Sequence, residues 1–440
     1  MNEWEEMRPG DVGTSIFEKK PFNSDKREVK EKTIKTAAWL RDFDLLRTLA
    51  RSRLGLVTDE LRREIWPLLL RGSIPGSESP IKGAVEAPNW RTLPPHPEEE
   101  QVQLDVDRSC VFYPANLDAE KRMFLQEELR DLILCVLRRN SHLSYYQGYH
   151  DVAQVVLLVF GSEEGAEILE MLSLAYLRDF MLPDLTATLQ HLKLLPSILS
   201  LEDPFLGDLL SRGEPFFALS PILTLFAHHI RSQQDICIIF DFILGSGTAS
   251  LPLYMLVAMI IDEKENLKKL SPSDHDSQHL LLSNLADNFN GDWFEIAKRA
   301  STLQEKFALE SLPLWPDISE FSVLKTTKEC EKFNRTNVLD YLDHQVDQVH
   351  EEREMRKLEE QQRRQLEESE RKKSKAVTIR SVLERDLIRL FTHNNFILPR
   401  SVLALTVGVG VLAFVGSSVF KYDARLIWHN IQDYLKDKSR

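Results

Sequence analysis

The chain has 440 residues, with 55 Lys and Arg against 68 Asp and Glu, for a formal net charge of −13. That acidic balance argues against a general nucleic-acid binder, whose affinity comes from neutralising phosphates. With 17 Gly and 20 Pro, and 43% hydrophobic residues, long helices and a sizeable core are both allowed. The four cysteines, Cys110, Cys135, Cys237 and Cys330, show no CxxC or Cys/His spacing, so they read as reduced thiols and no metal site is expected. The opening MNEWEEMRPGD has neither the basic start nor the apolar core of a signal peptide, which predicts a cytosolic bulk.

Residues 1–54 read as a polar, mobile arm carrying the basic run Lys26, Arg27, Lys30, Lys32 and Lys35. A helix is predicted from Thr58, which can cap it: Asp59 and Glu60 suit the positive helix end, Leu61, Ile65, Leu68 and Leu69 recur at helical spacing, and Pro67 introduces a kink. Prolines 75, 80, 88, 94, 95 and 97 mark residues 73–97 as an irregular connection. A second helix is predicted near Glu98. The clearest one runs from about Asp118 to Arg139, with Leu125, Leu129, Leu132, Ile133, Val136 and Leu137 on one face. Apolar blocks at 152–160, 166–177, 216–230, 235–244 and 252–261 follow, each too short to span a bilayer. Residues 55–312 therefore read as one all-α domain.

Residues 313–400 are predicted to be a linker. Within it, 17 of the 25 residues at 351–375 are charged, which precludes a packed core. The pairs Glu352/Arg356, Glu359/Arg363, Glu360/Arg364, Glu367/Arg371 and Glu368/Lys372 set Glu four residues before a base, and predict a helical spacer reaching roughly 35 Å. Residues 401–420 then carry no charge and match the length of a single transmembrane helix, followed by a short tail, 421–440. Late insertion of such a span would leave residues 1–400 in the cytosol. The balance of positive residues, Arg385, Arg389 and Arg400 before it against Lys421, Arg425, Lys436, Lys438 and Arg440 after it, points the other way. Ala404, Gly408, Ala413 and Ser417 leave self-association in the bilayer open.

Three short constellations carry chemistry. Arg62 and Trp66 are four apart on the first predicted helix, so the guanidinium can lie against the indole as a scaffold contact. Asp105 and Arg108 are three apart, so the carboxylate can hold the guanidinium fork just before a helix end. Taken alone, this is an ordinary surface ion pair. Tyr145-Tyr146-Gln147-Gly148-Tyr149 forms a turn with aromatic anchors and a polar tip, and Gln147 both donates and accepts hydrogen bonds, as positioning a water nucleophile requires.

In this order the three resemble the signatures RxxxW, IxxDxxR and YxQ of the TBC-domain family of Rab GTPase-activating proteins. Val102 stands where that family usually has Ile, and Tyr149 follows Gly148 where it often has Met. The resemblance covers about 55–312, and 216–226 with 239–247 looks like the second half of such a domain. It implies a V-shaped helical domain that supplies Arg108 as an arginine finger and Gln147 as a glutamine finger to a GTP-bound Rab. Asp105, Tyr145, Gly148, Arg62 and Trp66 would support them. No cofactor of its own is implied, because GTP and Mg²⁺ belong to the partner and no GxxxxGK[ST] loop occurs. Anchored members of the family imply the endoplasmic reticulum or early Golgi membrane, with a Rab of the pathway between them as substrate and the bilayer itself as a partner through 401–420. The alternative is a noncatalytic, membrane-tethered Rab-binding adaptor.

Overall fold

The computed structural model describes residues 24–71, 89–115, 117–270, 274–327 and 335–393. Every regular element among them is helical. In chain order these are α1 (Ser24–Leu40), α2 (Phe43–Ala50), α3 (Asp59–Arg71), α4 (Glu99–Val106), α5 (Ala119–Arg139), α6 (Tyr149–Leu172), α7 (Thr186–Glu202) and α8 (Pro204–Leu210). They continue with α9 (Leu219–Leu223), α10 (Gln233–Ser246), α11 (Leu251–Asp262), α12 (Lys264–Lys269), α13 (His275–Ser283), α14 (Trp293–Lys306), α15 (Val323–Thr326) and α16 (Arg335–His393).

The expected starts are realised by side-chain caps. Thr58 Oγ1 accepts from Leu61 N at 3.3 Å, and Asp118 accepts from Lys121 N at 2.8 Å. Pro67 lies inside α3. The interval between the blocks 152–160 and 166–177 coincides with Gly161, whose φ of 76° interrupts α6. The block at 216–230 is helical only to Leu223. Leu225 (φ 49°) and Phe226 (φ 65°) then take left-handed backbone, and both are buried, so packing holds a turn that local preference disfavours.

Two compact units divide the chain at Glu351 and Glu352. In the first, α6 packs on α5 and α3, and α11 on α14, around a continuous apolar core. Of the polar arm expected over 1–54, residues 24–50 differ from the expectation: α1 and α2 bury Ile34, Ala37, Leu46 and Ala50 in that core, while residues 1–23 lie outside the described residues. Only Ile34, Ala37 and Ala38 of α1 are buried, which is why its composition reads as polar.

Packing also continues past 312, where the domain is expected to end. Val323, Leu324, Val338, Leu342 and Val349 are buried in the first unit. Gln345 accepts from Arg178 Nε at 2.6 Å and donates to Asp179 Oδ1 at 2.9 Å. Ser322 Oγ and Val323 N also donate to Asp179. Val338, Leu342 and Val349 sit at helical spacing, a signal masked by the charged stretch that follows.

From Glu352 to Ser374 the side chains of α16 are exposed, Met355, Leu358 and Leu366 included, except for the partly buried Arg353 and Ser369. Three of the expected pairs form, Glu352/Arg356 at 3.2 Å, Glu360/Arg364 at 2.9 Å and Glu368/Lys372 at 2.9 Å, while Arg363 turns to Glu367 at 3.9 Å. Among the described residues no helix is long and apolar enough to cross a membrane. The segment 401–420 lies outside the described residues, as does Cys330.

Candidate functional site

Helix α4 ends at Val106, and the chain leaves it through Asp107 and Arg108. Arg108 Nη2 donates to Asp105 Oδ1 at 2.6 Å, and its Nε donates to Leu104 O at 3.1 Å. The two partners differ sharply in burial: the Asp105 side chain is 1% exposed and that of Arg108 is 67% exposed. Asp105 is therefore a fixed acceptor, and the guanidinium projects from it with its other donors facing outward.

Asp105 is held in turn. Tyr145 OH donates to its Oδ2 at 2.9 Å, and Gln101 donates to its Oδ1 at 3.2 Å. Burial, and then the Asp105 charge, push the Tyr145 phenol well above its ordinary range, so it remains a neutral donor. The Tyr145 amide also donates to Glu98 at the start of α4. The 145–148 turn is thus tied to both ends of α4.

The bent segment after Arg108 is clamped from both sides. Gln126 donates to Asp107 O at 3.1 Å and Ser109 O at 3.3 Å. Gln154 accepts from Cys110 N at 3.1 Å and donates to Tyr113 O at 2.8 Å. Cys110 takes φ 58°, so these amides stabilise a bend that its side chain opposes.

Gln147 is exposed, and its side chain forms no hydrogen bond with the described residues. Its turn is anchored by its neighbours: Tyr146 OH donates to Leu223 O at 2.7 Å, and Tyr149 shares a 2.6 Å hydrogen bond with Ser173. Gly148 adopts φ 104°, and a Cβ there would lie 2.7 Å from Thr224 Cγ2. Both facts select glycine.

Arg108 and Gln147, distant in sequence, line one cavity of about 260 Å³ together with Asp105, Phe112, His150, Asp151 and His228. Around Arg108 the chain exposes Leu104, Val111 and Phe112. The arrangement offers a cation and a neutral amide at the same opening, each with free hydrogen-bonding capacity.

Arg62 and Trp66 lie elsewhere, in the core. They meet through Asp241 of α10: Arg62 Nη2 donates to Oδ2 at 2.9 Å, and Trp66 Nε1 to Oδ1 at 2.7 Å. Leu56 N adds a third donor at 2.8 Å. The indole itself packs on Phe160 and Phe240, at ring distances of 5.8 and 5.9 Å. Asp241 carries no local signal, because it sits in an apolar run of α10. Gln154, His150 and His228 were equally unmarked, although Asp151, an acidic residue in the first turn of a helix, carries a recognisable signal.

This helical domain presents an arginine and a glutamine at one opening and keeps Arg62 and Trp66 in its core. The chain belongs to the Rab-GTPase-TBC domain family (RabGAP-TBC), whose pattern matches residues 59–268. Among relatives, it is 34% identical over 280 residues to TBC1 domain family member 20 of Homo sapiens, covering 60% of this chain and 67% of that protein. The Bos taurus protein of the same name is 36% identical over 246 residues, 56% of this chain, and the match spans 59% of that relative's length. GTPase-activating protein gyp10 of Schizosaccharomyces pombe is 27% identical over 336 residues, covering 74% of this chain and 87% of that protein.

Proposed function

We propose that this chain accelerates GTP hydrolysis by a Rab-family GTPase, inserting Arg108 and Gln147 into the partner's nucleotide site. The observation that carries this reading is the shared cavity, lined by an exposed guanidinium whose carboxylate partner is buried and by an exposed, uncommitted amide. As the γ-phosphoryl group transfers, charge is spread over its oxygens. A guanidinium delivered into that water-poor site stabilises the charge, an effect of about 10³–10⁵ in rate for arginine fingers generally. Asp105 and Tyr145 set the direction of the guanidinium, so little orientation is lost on docking. Gln147 orients the attacking water through its carbonyl and amide. GTP and Mg²⁺ stay with the partner.

The uncharged stretch 401–420 supports a bilayer anchor, which fits the endoplasmic reticulum or early Golgi membrane that the family resemblance implies as the setting. The sequon Asn334-Arg335-Thr336 reports on orientation, since glycan addition there requires a lumenal domain.

The deciding experiment is single-turnover GTP hydrolysis by a panel of purified Rab proteins, with the full chain in detergent. Acceleration that disappears in Arg108→Ala establishes the activity and identifies the substrate. Binding to a Rab without acceleration across the panel assigns the chain as an adaptor instead.

A further inference from the structure

The turn that presents Gln147 rests against one segment, 223–228, at three points. Tyr146 OH reaches Leu223 O, Gly148 abuts Thr224, and Asp151 Oδ2 meets His228 Nδ1 at 2.9 Å. The first two are neutral contacts. The third joins a carboxylate on the first turn of α6, three residues past the helix-capping Gly148, to the half-exposed imidazole two residues beyond the buried left-handed turn after α9. Asp151 and His228 both line the cavity that holds Arg108 and Gln147.

Asp151 also connects to the arginine side. His150 Nε2 lies 3.6 Å from Asp151 Oδ1, and its Nδ1 lies 3.7 Å from Asp105 Oδ2 and 3.2 Å from Tyr145 OH. Arg108, Asp105, His150, Asp151 and His228 thus form a row of alternating basic and acidic groups along the opening.

We propose that Asp151 and His228 are positioning residues for Gln147, and that the charged form of their contact seats the glutamine turn so that GTPase activation declines as the imidazole loses its proton. This rests on the GTPase-activating reading above.

The groups around His228 fix the direction. It faces Asp151 from α6, Asp287 from the segment after α13, and its own neighbours His229 and Arg231, with Arg108 on the wall of the same cavity. The hydrogen bond to Asp151 raises His228 above its ordinary range, against burial and Arg231. His229 behaves oppositely. Burial lowers it despite its 2.9 Å contact with Asp287, so it stays neutral and does not compete. A group raised in the folded state keeps its charged contact at low pH and loses it as pH rises through its own midpoint.

The test is the ratio of single-turnover rates, unsubstituted chain to His228→Asn, measured from about pH 6 to 8.5 on a Rab that the full chain activates. Asparagine keeps a donor to Asp151 but cannot titrate. The ratio is expected to fall from roughly threefold to fivefold at the acid end, the range of a half-exposed ion pair, to one at the basic end. In a Gln147→Ala background the same substitution is expected to add nothing, because its effect passes through Gln147. A flat ratio, an equal loss in the Gln147→Ala background, or a rise in KM with kcat unchanged overturns the proposal. Thermal melting of His228→Asn within a degree or two of the parent excludes a folding defect. If no Rab in the panel responds to the unsubstituted chain, the activating function falls first, and that failure is seen before any His228 variant is used.

Discussion

The molecule contains two arginine–aspartate pairs set by the family's motifs, and they have opposite designs. Arg62 and Asp241 are 6% and 0% exposed in their side chains, and the carboxylate is saturated by Arg62, Trp66 and Leu56. Arg108 and Asp105 are 67% and 1% exposed, so only the acceptor is buried. In the first pair every strong donor is consumed by the fold, and the product is rigidity between α3 and α10. In the second, the fold consumes the carboxylate and leaves the guanidinium exposed. The same chemistry becomes scaffold or site according to which partner is withdrawn from water.

The largest effect that tests this contrast is Asp241→Ala. It leaves the buried Arg62 guanidinium with Asp59 as its remaining carboxylate, and Trp66 Nε1 and Leu56 N without their acceptor, so a loss of about 3–5 kcal/mol is expected in denaturant unfolding, enough to prevent folding of a marginal domain. A loss below about 1 kcal/mol would show that Asp241 is not the keystone of that node.

Arg108→Ala inverts the pattern. Stimulated hydrolysis is expected to drop at least about 100-fold, with stability changed by about 1 kcal/mol or less because the side chain is solvated. Arg108→Lys should recover little, since an ammonium lacks the planar fork. Retained stimulation by a folded Arg108→Ala removes the finger assignment.

A third carboxylate, Asp179, belongs with the buried class and ties the segment after α14 to the core. Burial alone would raise it, but the hydrogen bond and charge of His191, then Arg178 and Ser322, hold it down at about 2. The unfolded chain binds this proton near the ordinary value, so the contribution is complete above about pH 4. It is lost as pH falls toward 2, by about 2 kcal/mol. Acid unfolding of Asp179→Asn should lack this step, and an unchanged acid limb would contradict the network's role.

The smallest effect is expected at Gly148, where alanine must take φ 104° against Thr224 Cγ2. A cost of about 1–2 kcal/mol and a lowered kcat should follow. Adding Thr224→Ser, which removes the opposing methyl, should restore part of both. No recovery in the double variant would place the cost wholly in the backbone.

Much of this was legible in the sequence because it is local. Asp105 and Arg108 share one helical turn, Thr58 and Asp118 cap the helices that follow them, and the 145–149 turn carries its own aromatic anchors. What was misread is also instructive. Helix α1 and the start of α16 bury narrow apolar stripes beneath polar composition, so residues that look like arm and linker belong to the domain. The block 216–230 is apolar enough for a continuous helix, yet core packing bends it at Leu225 and Phe226, and that bend sets Thr224 and His228 against the glutamine turn.

By itself, then, the sequence determined the helical class, most helix positions and the identity of Arg108 and Gln147 as a pair worth placing, since periodicity, capping and motif spacing act over a few residues. Only the tertiary structure decided that these two line one cavity, that Asp241 joins Arg62 and Trp66, and that His228 faces Asp151. Those contacts join residues far apart in the chain, and no short-range pattern encodes which distant carboxylate or imidazole the packing of the core will bring to a given arginine, indole or helix end.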